Sequence, residues 1–191
     1  MLVFALHGFG MTGDGDELCQ EIVQLANRNG AVGLAPTYPT NNPHLAHLYL
    51  TNYVENKLKY YNTDGVFAGV SLGGFWARHL SHTFGAVRLI LINPSLHPWQ
   101  SLQPYIGMNK NFVTNEQFEL SANDANAYYI YRSEDDVKSI QRNKTLYIGT
   151  KNSNEDIREL FENKRNVSVE TVQQFEDILT SIEKNLFPDD N

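Results

Sequence analysis

The sequence predicts an α/β protein, with a mostly parallel sheet and helices on both faces, folded as a single domain over residues 1–191. Short apolar stretches typical of strands alternate along the chain with stretches whose apolar residues recur at helical spacing. Near the middle, Gly69-Val70-Ser71-Leu72-Gly73 fits the pattern G-x-S-x-G between one such strand and one such helix. Strands that alternate with helices join a parallel sheet through right-handed crossovers, so this order of elements indicates the α/β class.

Apolar runs indicate the strands, helical spacing of apolar residues indicates the helices, and glycine, proline or asparagine marks their ends. The predicted strands are residues 2–6, 32–35, 66–70, 87–92, 145–149 and 167–169. The predicted helices are residues 16–29, 43–61, 74–84, 154–163 and 172–187, with a polar helical candidate at 116–127.

Individual residues support these boundaries. Asn29-Gly30 ends the first helix as a C-cap would, and Pro36 breaks the second strand. The strand at 87–92 is continuously apolar, as expected for a central parallel strand that is covered on both faces. Residues 95–143 are less regular, and we expect this segment to cover the site. Within it, residues 128–131 fit either a short strand or a helical turn.

Composition excludes several classes of protein. The net charge of −7 and the lack of a basic run argue against a nucleic-acid surface. The single cysteine, Cys19, excludes an internal disulfide, and its place in a helical stretch favours a small buried side chain. No apolar run reaches the roughly 18 residues of a membrane span. We therefore expect a cytoplasmic protein without nucleic-acid or membrane partners.

The strand, turn and helix around Ser71 are the context of a nucleophile elbow. In such an elbow the serine hydroxyl is exposed on a strained turn, and the flanking glycines let strand and helix approach closely. Acyl transfer also needs donors for the developing oxyanion. The backbone N–H of Leu72 is the first candidate, and that of Phe9, in the His7-Gly8-Phe9-Gly10 loop, is the second.

Three blocks together resemble a known family: H-G-F after the first strand, G-V-S-L-G-G-F-W-A at the elbow, and I-N-P-S-L-H-P-W after the next strand. They are similar to the small bacterial esterase-like α/β-hydrolases of the YqiA/YcfP type, over about the first 105 residues. The resemblance implies an α/β-hydrolase fold, Ser71 as nucleophile, and action on short acyl esters or thioesters.

The second half departs from that pattern. In this fold the acid and then the histidine of the triad follow the serine. The acid is expected after residues 145–149, where the chain has Thr150-Lys151-Asn152-Ser153-Asn154, with Glu155 and Asp156 slightly later. The histidine is expected near Glu170, but His97 is the last histidine of the chain. The usual triad is incomplete.

Sorting the six histidines leaves His97 as the candidate for a relocated base. It follows the strand beside the elbow, on the side where Ser71 opens. His79 and His82 lie on the elbow helix at about 12 to 16 Å from the serine, which is out of reach. His44 and His47 suit a helix surface, and His7 suits a structural role in the oxyanion loop.

Two functions from different classes remain open. One is a serine esterase or thioesterase with a rearranged base and a small acyl substrate. The other is a catalytically degraded hydrolase fold that acts as a binding or regulatory protein. Neither needs a cofactor, and no histidine pair has a third donor close enough for a metal site. The oligomeric state stays open.

Overall fold

The computed structural model describes residues 1–86, 88–132, 144–150 and 166–188. Among these, parallel strands form one sheet: β1 (Leu2–Leu6), β2 (Val32–Leu34), β3 (Gly65–Val70), β4 (Arg88–Ile92), β7 (Lys144–Thr150) and β8 (Val167–Val172). An antiparallel hairpin lies between β4 and β7 in sequence: β5 (Gly107–Lys110) and β6 (Gln117–Leu120). The described helices are α1 (Glu17–Arg28), α2 (Pro43–Tyr61), α3 (Leu72–Phe84), α4 (Pro98–Ser101), α5 (Ala122–Ala127) and α6 (Phe175–Leu186). None of them is both long and apolar enough to cross a membrane.

The strand order places the ends of β1 and β3 at the reversal point of the sheet. Across the sheet the order is β2-β1-β3-β4-β7-β8, so the chain steps outward from β1 to β2 and then returns to β3 on the other side of β1. In open parallel sheets, ligands bind at the carboxyl ends of the strands where the order reverses. The loop after β1 and the turn after β3 meet at that point.

Two apolar clusters fill the spaces above and below the sheet. Strand residues alternate between the faces, so Phe4 and Phe67 pack on one side while Val3 and Val66 pack on the other. Helices α2 and α3 cover the first face, and α1 and α6 cover the second. Cys19 of α1 is fully buried in the second cluster, which confirms its prediction as a core side chain. The predicted arrangement, helices on both faces of a parallel sheet, is therefore confirmed.

Local capping explains why the helix boundaries were readable in the sequence. The side chain of Asp16 accepts a hydrogen bond from the Cys19 N–H at the start of α1. Asn42 does the same for Leu45 at the start of α2. Helix α3 ends at Gly85 in the left-handed conformation, with φ of 68°. These signals are local, and the predicted helices at 16–29, 43–61, 74–84 and 172–187 differ from the observed ones by at most three residues at either end.

The helical candidate at 116–127 was wrong in its first half. Residues 117–120 form β6, which pairs with β5, and only Ala122–Ala127 is helical. The strand has only four residues, so its alternation of exposed and more buried side chains is too short to distinguish it from a helix in the sequence. Pairing with β5 decided its structure. Tyr128–Tyr131 is a 3₁₀ turn, which resolves the open alternative. The predicted helix at 154–163 lies outside the described residues.

A histidine network connects α2, α3 and the 3₁₀ turn. His47 Nδ1 lies 3.0 Å from His79 Nε2, and His79 also hydrogen-bonds to the backbone of Tyr131. The Tyr131 hydroxyl lies 2.6 Å from His44 Nδ1. Burial, together with a smaller effect of the neighbouring His47, lowers the pKa of His79 to about 4, and burial also lowers the pKa of His47. Both imidazoles of the pair are consequently neutral near pH 7.

This pair predicts a pH-dependent stability. The pKa of His79 is lower in the folded protein than in the unfolded chain, where it is about 6.5. Such a histidine makes its full contribution to stability above pH 6.5, and this contribution is lost as the pH falls toward 4. Between pH 7 and pH 5, the wild type should lose about 2 kcal/mol more of its free energy of unfolding than His79→Gln does. Urea unfolding at both pH values measures this difference. His82→Gln, at an exposed position of the same helix, is the control and should behave like the wild type; identical pH dependence in all three proteins would contradict the prediction.

Candidate active site

Ser71 occupies a strained turn between β3 and α3. Its φ of 51° and ψ of −117° lie outside the regions that non-glycine residues favour, at a cost of about 1 to 3 kcal/mol. Backbone hydrogen bonds hold it there: the Ser71 N–H donates to the Ile92 carbonyl at 3.0 Å, and the Ser95 N–H donates to the Ser71 carbonyl at 2.9 Å. The end of β4 thus fixes the turn, and Ser71 is exposed.

Glycines beneath Ser71 make this turn possible. A Cβ atom at Gly73 would lie 1.9 Å from the Leu6 carbonyl oxygen, and one at Gly69 would lie 2.2 Å from the Gly73 carbonyl oxygen. Both distances are shorter than any van der Waals contact allows. The helix start therefore packs directly on the ends of β1 and β3, as the sequence pattern predicts for a nucleophile elbow.

A cleft of about 440 Å³ opens beside Ser71. Its walls come from the loop after β1, the elbow, the segment after β4, and the hairpin loop between β5 and β6. The lining residues are Gly8, Phe9, Met11, Asp16, Val70, Ser71, Leu72, Ser95, Ser101, Leu102, Tyr105 and Phe112. Apolar and aromatic side chains predominate, while hydroxyl groups and one carboxylate supply the polar surface.

Two backbone N–H groups in this cleft have no acceptor in the described part of the chain. Leu72 is the first residue of α3, where an N–H has no partner within the helix. The Phe9 N–H, in the loop after β1, also donates to no described group. Both residues line the cleft with Ser71, and the positive end of the α3 dipole lies at the same point. This arrangement suits an anionic oxygen.

His7 is buried beneath the loop and both of its ring nitrogens are occupied. The Tyr38 N–H donates to His7 Nε2 at 3.3 Å, so the proton is on Nδ1, which donates to the Gly8 carbonyl at 2.9 Å. The Tyr38 ring stacks on the imidazole at 4.1 Å between centroids, and its hydroxyl donates to the His7 carbonyl at 2.6 Å. Burial lowers the pKa of His7. These contacts hold the loop after β1 in place, in agreement with the structural role expected for His7 from the sequence.

His97 lies beside the cleft wall, one residue before α4. Its ring packs against Trp99, with 5.1 Å between ring centroids, and it is not among the residues that line the cleft. The wall itself presents the hydroxyls of Ser95 and Ser101, whose oxygens are 2.6 Å apart. Within the described chain, no side chain hydrogen-bonds to the Ser71 hydroxyl. The role of His97 as base stays a prediction.

The structure describes the expected position of the triad histidine but not that of the triad acid. Residues 151–165, where the acid was expected, lie outside the described residues. Near the expected histidine, Glu170 accepts hydrogen bonds from Ser181 and Asn185 of α6, so this carboxylate is engaged away from the cleft. No group of three His, Cys, Asp or Glu side chains suited to a metal ion occurs in the described ranges.

The sequence predicts that residues 95–143 cover the site, but it did not indicate the hairpin within them. The Phe112 N–H donates to the Gly10 carbonyl at 2.8 Å, which holds the hairpin loop against the loop after β1. The Phe9 ring contacts Tyr105 and Phe118 at 5.4 and 5.5 Å between centroids. Asp16, read from sequence as a helix start, also lines the cleft. Phe9 was expected at the site from the sequence, but nothing in the local sequence indicated that Asp16 and Phe112 line the same cleft as Ser71.

The parallel sheet with its strand-turn-helix elbow at the reversal point defines an α/β-hydrolase-like fold. Residues 1–183 match the uncharacterised protein family UPF0227, the YqiA/YcfP-type family that the sequence resembles, and the chain belongs to that family. A UPF0227 protein of Shewanella baltica is 31% identical over 113 residues, which are 59% of this chain and 61% of that protein. One of Shewanella woodyi is 32% identical over 102 residues, which are 53% of this chain and 55% of that protein. These matches thus span about three fifths of the length of the curated relatives.

Solved structures show the same fold at low sequence identity. The monoacylglycerol lipase of Paleococcus ferrophilus is similar with a TM-score of 0.68 and 14% identity, over 97% of this chain and 93% of the lipase. Est1E of Butyrivibrio proteoclasticus has a TM-score of 0.63 and 17% identity, over 97% of this chain and 86% of Est1E. FphF, a fluorophosphonate-binding serine hydrolase of Staphylococcus aureus, has a TM-score of 0.63 and 14% identity, over 96% of this chain and 81% of FphF.

The elbow packing predicts a large cost for one methyl group. Gly73→Ala should lower the free energy of unfolding by at least about 3 kcal/mol, because the added Cβ collides with the backbone of β1. The matched control is Gly8→Ala, whose Cβ would meet its nearest atom at 3.6 Å and should cost much less. Urea unfolding followed by circular dichroism compares the two. Equal stability of the two variants would show that the close approach is not a constraint.

Proposed function

We propose that this protein is a serine hydrolase that acts on small acyl esters or thioesters. Ser71 is the nucleophile, and the N–H groups of Phe9 and Leu72 form the oxyanion hole. One observation carries the proposal: a strained, exposed serine lies in a cleft with two backbone N–H groups that have no described acceptor. Backbone donors of this kind stabilise charge that develops on a carbonyl oxygen.

The cleft surface supports an acyl substrate. Phe9, Leu102, Tyr105 and Phe112 give it an apolar wall that suits a hydrocarbon chain, while Ser95 and Ser101 can hydrogen-bond to a polar group. The names of the fold neighbours agree with this substrate class, since one is a monoacylglycerol lipase and another was solved with ferulic acid bound.

The reaction requires a proton acceptor for the Ser71 hydroxyl. As Ser71 Oγ bonds to the acyl carbon, its proton passes to the base, which returns a proton to the departing alcohol or thiol; water then releases the acyl group by the same route. Removal of the base lowers kcat by about 10⁶ in subtilisin, so the base decides whether this site is an efficient enzyme. We propose His97, which follows the strand that fixes the elbow.

A binding or regulatory protein is the second candidate. It is favoured by the absence of a histidine after His97 and by the Ser71 hydroxyl, which has no described hydrogen-bond partner. In this case the cleft would hold an acyl ligand without cleaving it.

Fluorophosphonate labelling distinguishes the two functions. If the protein is a hydrolase, the probe should modify the folded wild type at Ser71, located by mass spectrometry, because only an activated serine attacks phosphorus rapidly. Ser71→Ala should remove the label, and heat-unfolded wild type serves as the control for nonspecific reaction. Absence of labelling in folded protein would instead support the binding function.

The role of His97 has its own test. His97→Ala should slow labelling of Ser71 by at least about 10³-fold if His97 removes the serine proton, and added imidazole should restore part of the rate. His82→Ala, at an exposed position of α3, is the matched control and should keep the wild-type rate. An unchanged rate in His97→Ala would eliminate His97 as the base.

A further inference from the structure

A second cavity lies at the edge of the sheet opposite to Ser71. Its volume is about 430 Å³, and it is lined by residues at the amino ends of β4, β7 and β8 and at the end of α6. Ser71 follows the carboxyl end of β3, which runs parallel to β4. A strand rises about 3.3 Å per residue, so the length of β4 separates the two cavities by about 15 Å. The second cavity is therefore distinct from the cleft at the elbow.

The described lining of this cavity carries two positive charges and no acid. Arg88 is the first residue of β4, and Lys184 belongs to the last turns of α6. Side chains alternate along β4, and Ile90 and Ile92 pack in the cluster that α6 covers, so Arg88 faces α6 as well. A chain with a net charge of −7 has concentrated two cations here.

One nitrogen of the Arg88 guanidinium lacks a partner among the described residues. Its Nη1 atom is buried and makes no hydrogen bond within the described chain. A buried donor without an acceptor destabilises the folded state, and more so when the group is charged, so native proteins satisfy nearly all such groups. An acceptor for this donor is therefore expected from outside the described chain.

Two nearby glutamates hydrogen-bond to other residues and not to Arg88 or Lys184. Glu170 accepts hydrogen bonds from Ser181 and Asn185, and Glu183 accepts one from Asn29 at 3.2 Å. Neither glutamate lines the cavity. The two cations are thus not neutralised by these side chains, and the described lining of the cavity carries a net positive charge that attracts an anion.

We propose that this cavity is a binding site for a small oxyanion, a phosphate or carboxylate group. The guanidinium of Arg88 supplies planar donors that match two oxygens of such a group, and the Lys184 ammonium adds a second charge at the rim. The Ser168 hydroxyl, also in the lining, can donate a further hydrogen bond. The site does not depend on the chemistry of Ser71.

Titration calorimetry with inorganic phosphate and, in a separate arm, with succinate tests the proposal at constant ionic strength. Saturable binding is expected for the full chain. Arg88→Gln should weaken it by about tenfold or more, since a charged hydrogen bond contributes about 1.5 to 3 kcal/mol. Lys184→Gln should weaken it as well. The matched control, Lys59→Gln, removes an exposed lysine of α2 that pairs with Glu55 and should leave binding unchanged.

The anion that binds more tightly, phosphate or succinate, identifies the chemical group that the cavity prefers. Saturable binding of either anion supports the proposed site. Lys184 is exposed, so its variant remains informative if Arg88→Gln does not fold. Two outcomes would overturn the proposal. One is the lack of saturable binding of either anion to the wild type. The other is equal binding by the wild type and both cavity variants, which would indicate a general salt effect.

Discussion

The close approach of α3 to the ends of β1 and β3 is the constraint on which the rest of the site depends. With no side chain at Gly73, the helix start rests directly on the Leu6 carbonyl, and that contact leaves Ser71 in a conformation that other residues rarely adopt. Hydrogen bonds from the end of β4 hold the strained turn in place. The backbone strain is localised at Ser71, whose side chain is exposed, while the buried sheet supplies the stability that keeps the turn in this conformation.

The reversal of strand order converts this local turn into a cleft. Because β1 and β3 are neighbours but their following segments diverge, the loop around Phe9 and the elbow face each other across an opening. The buried contacts between His7 and Tyr38 fix the first loop, and the hairpin closes the cleft through Phe112. The cleft, with its backbone N–H groups and its apolar wall, thus arises from four separate parts of the chain.

The two ends of the sheet have different electrostatic characters. At the carboxyl ends, backbone N–H groups and a helix dipole face a serine, and a carboxylate rather than a cation lines the cleft. At the amino ends, Arg88 and Lys184 give the second cavity a positive charge without compensation from its described lining. Proposals for acyl chemistry at one end and oxyanion binding at the other rest on separate residues, so each can fail without the other.

Sequence alone determined the parallel α/β architecture, most element boundaries, the elbow at Ser71 and the family, because periodicity, capping and a strand-turn-helix motif are encoded by residues close together in the chain. It also determined that no histidine follows His97. Only the tertiary structure decided that residues 117–120 form a hairpin strand, that Ser95 and Ser101 face the cleft, that the His97 ring packs on Trp99, and that Arg88 lies in a cavity with Lys184. Each of these depends on pairing between distant segments or on the direction of one side chain, and local sequence patterns specify neither.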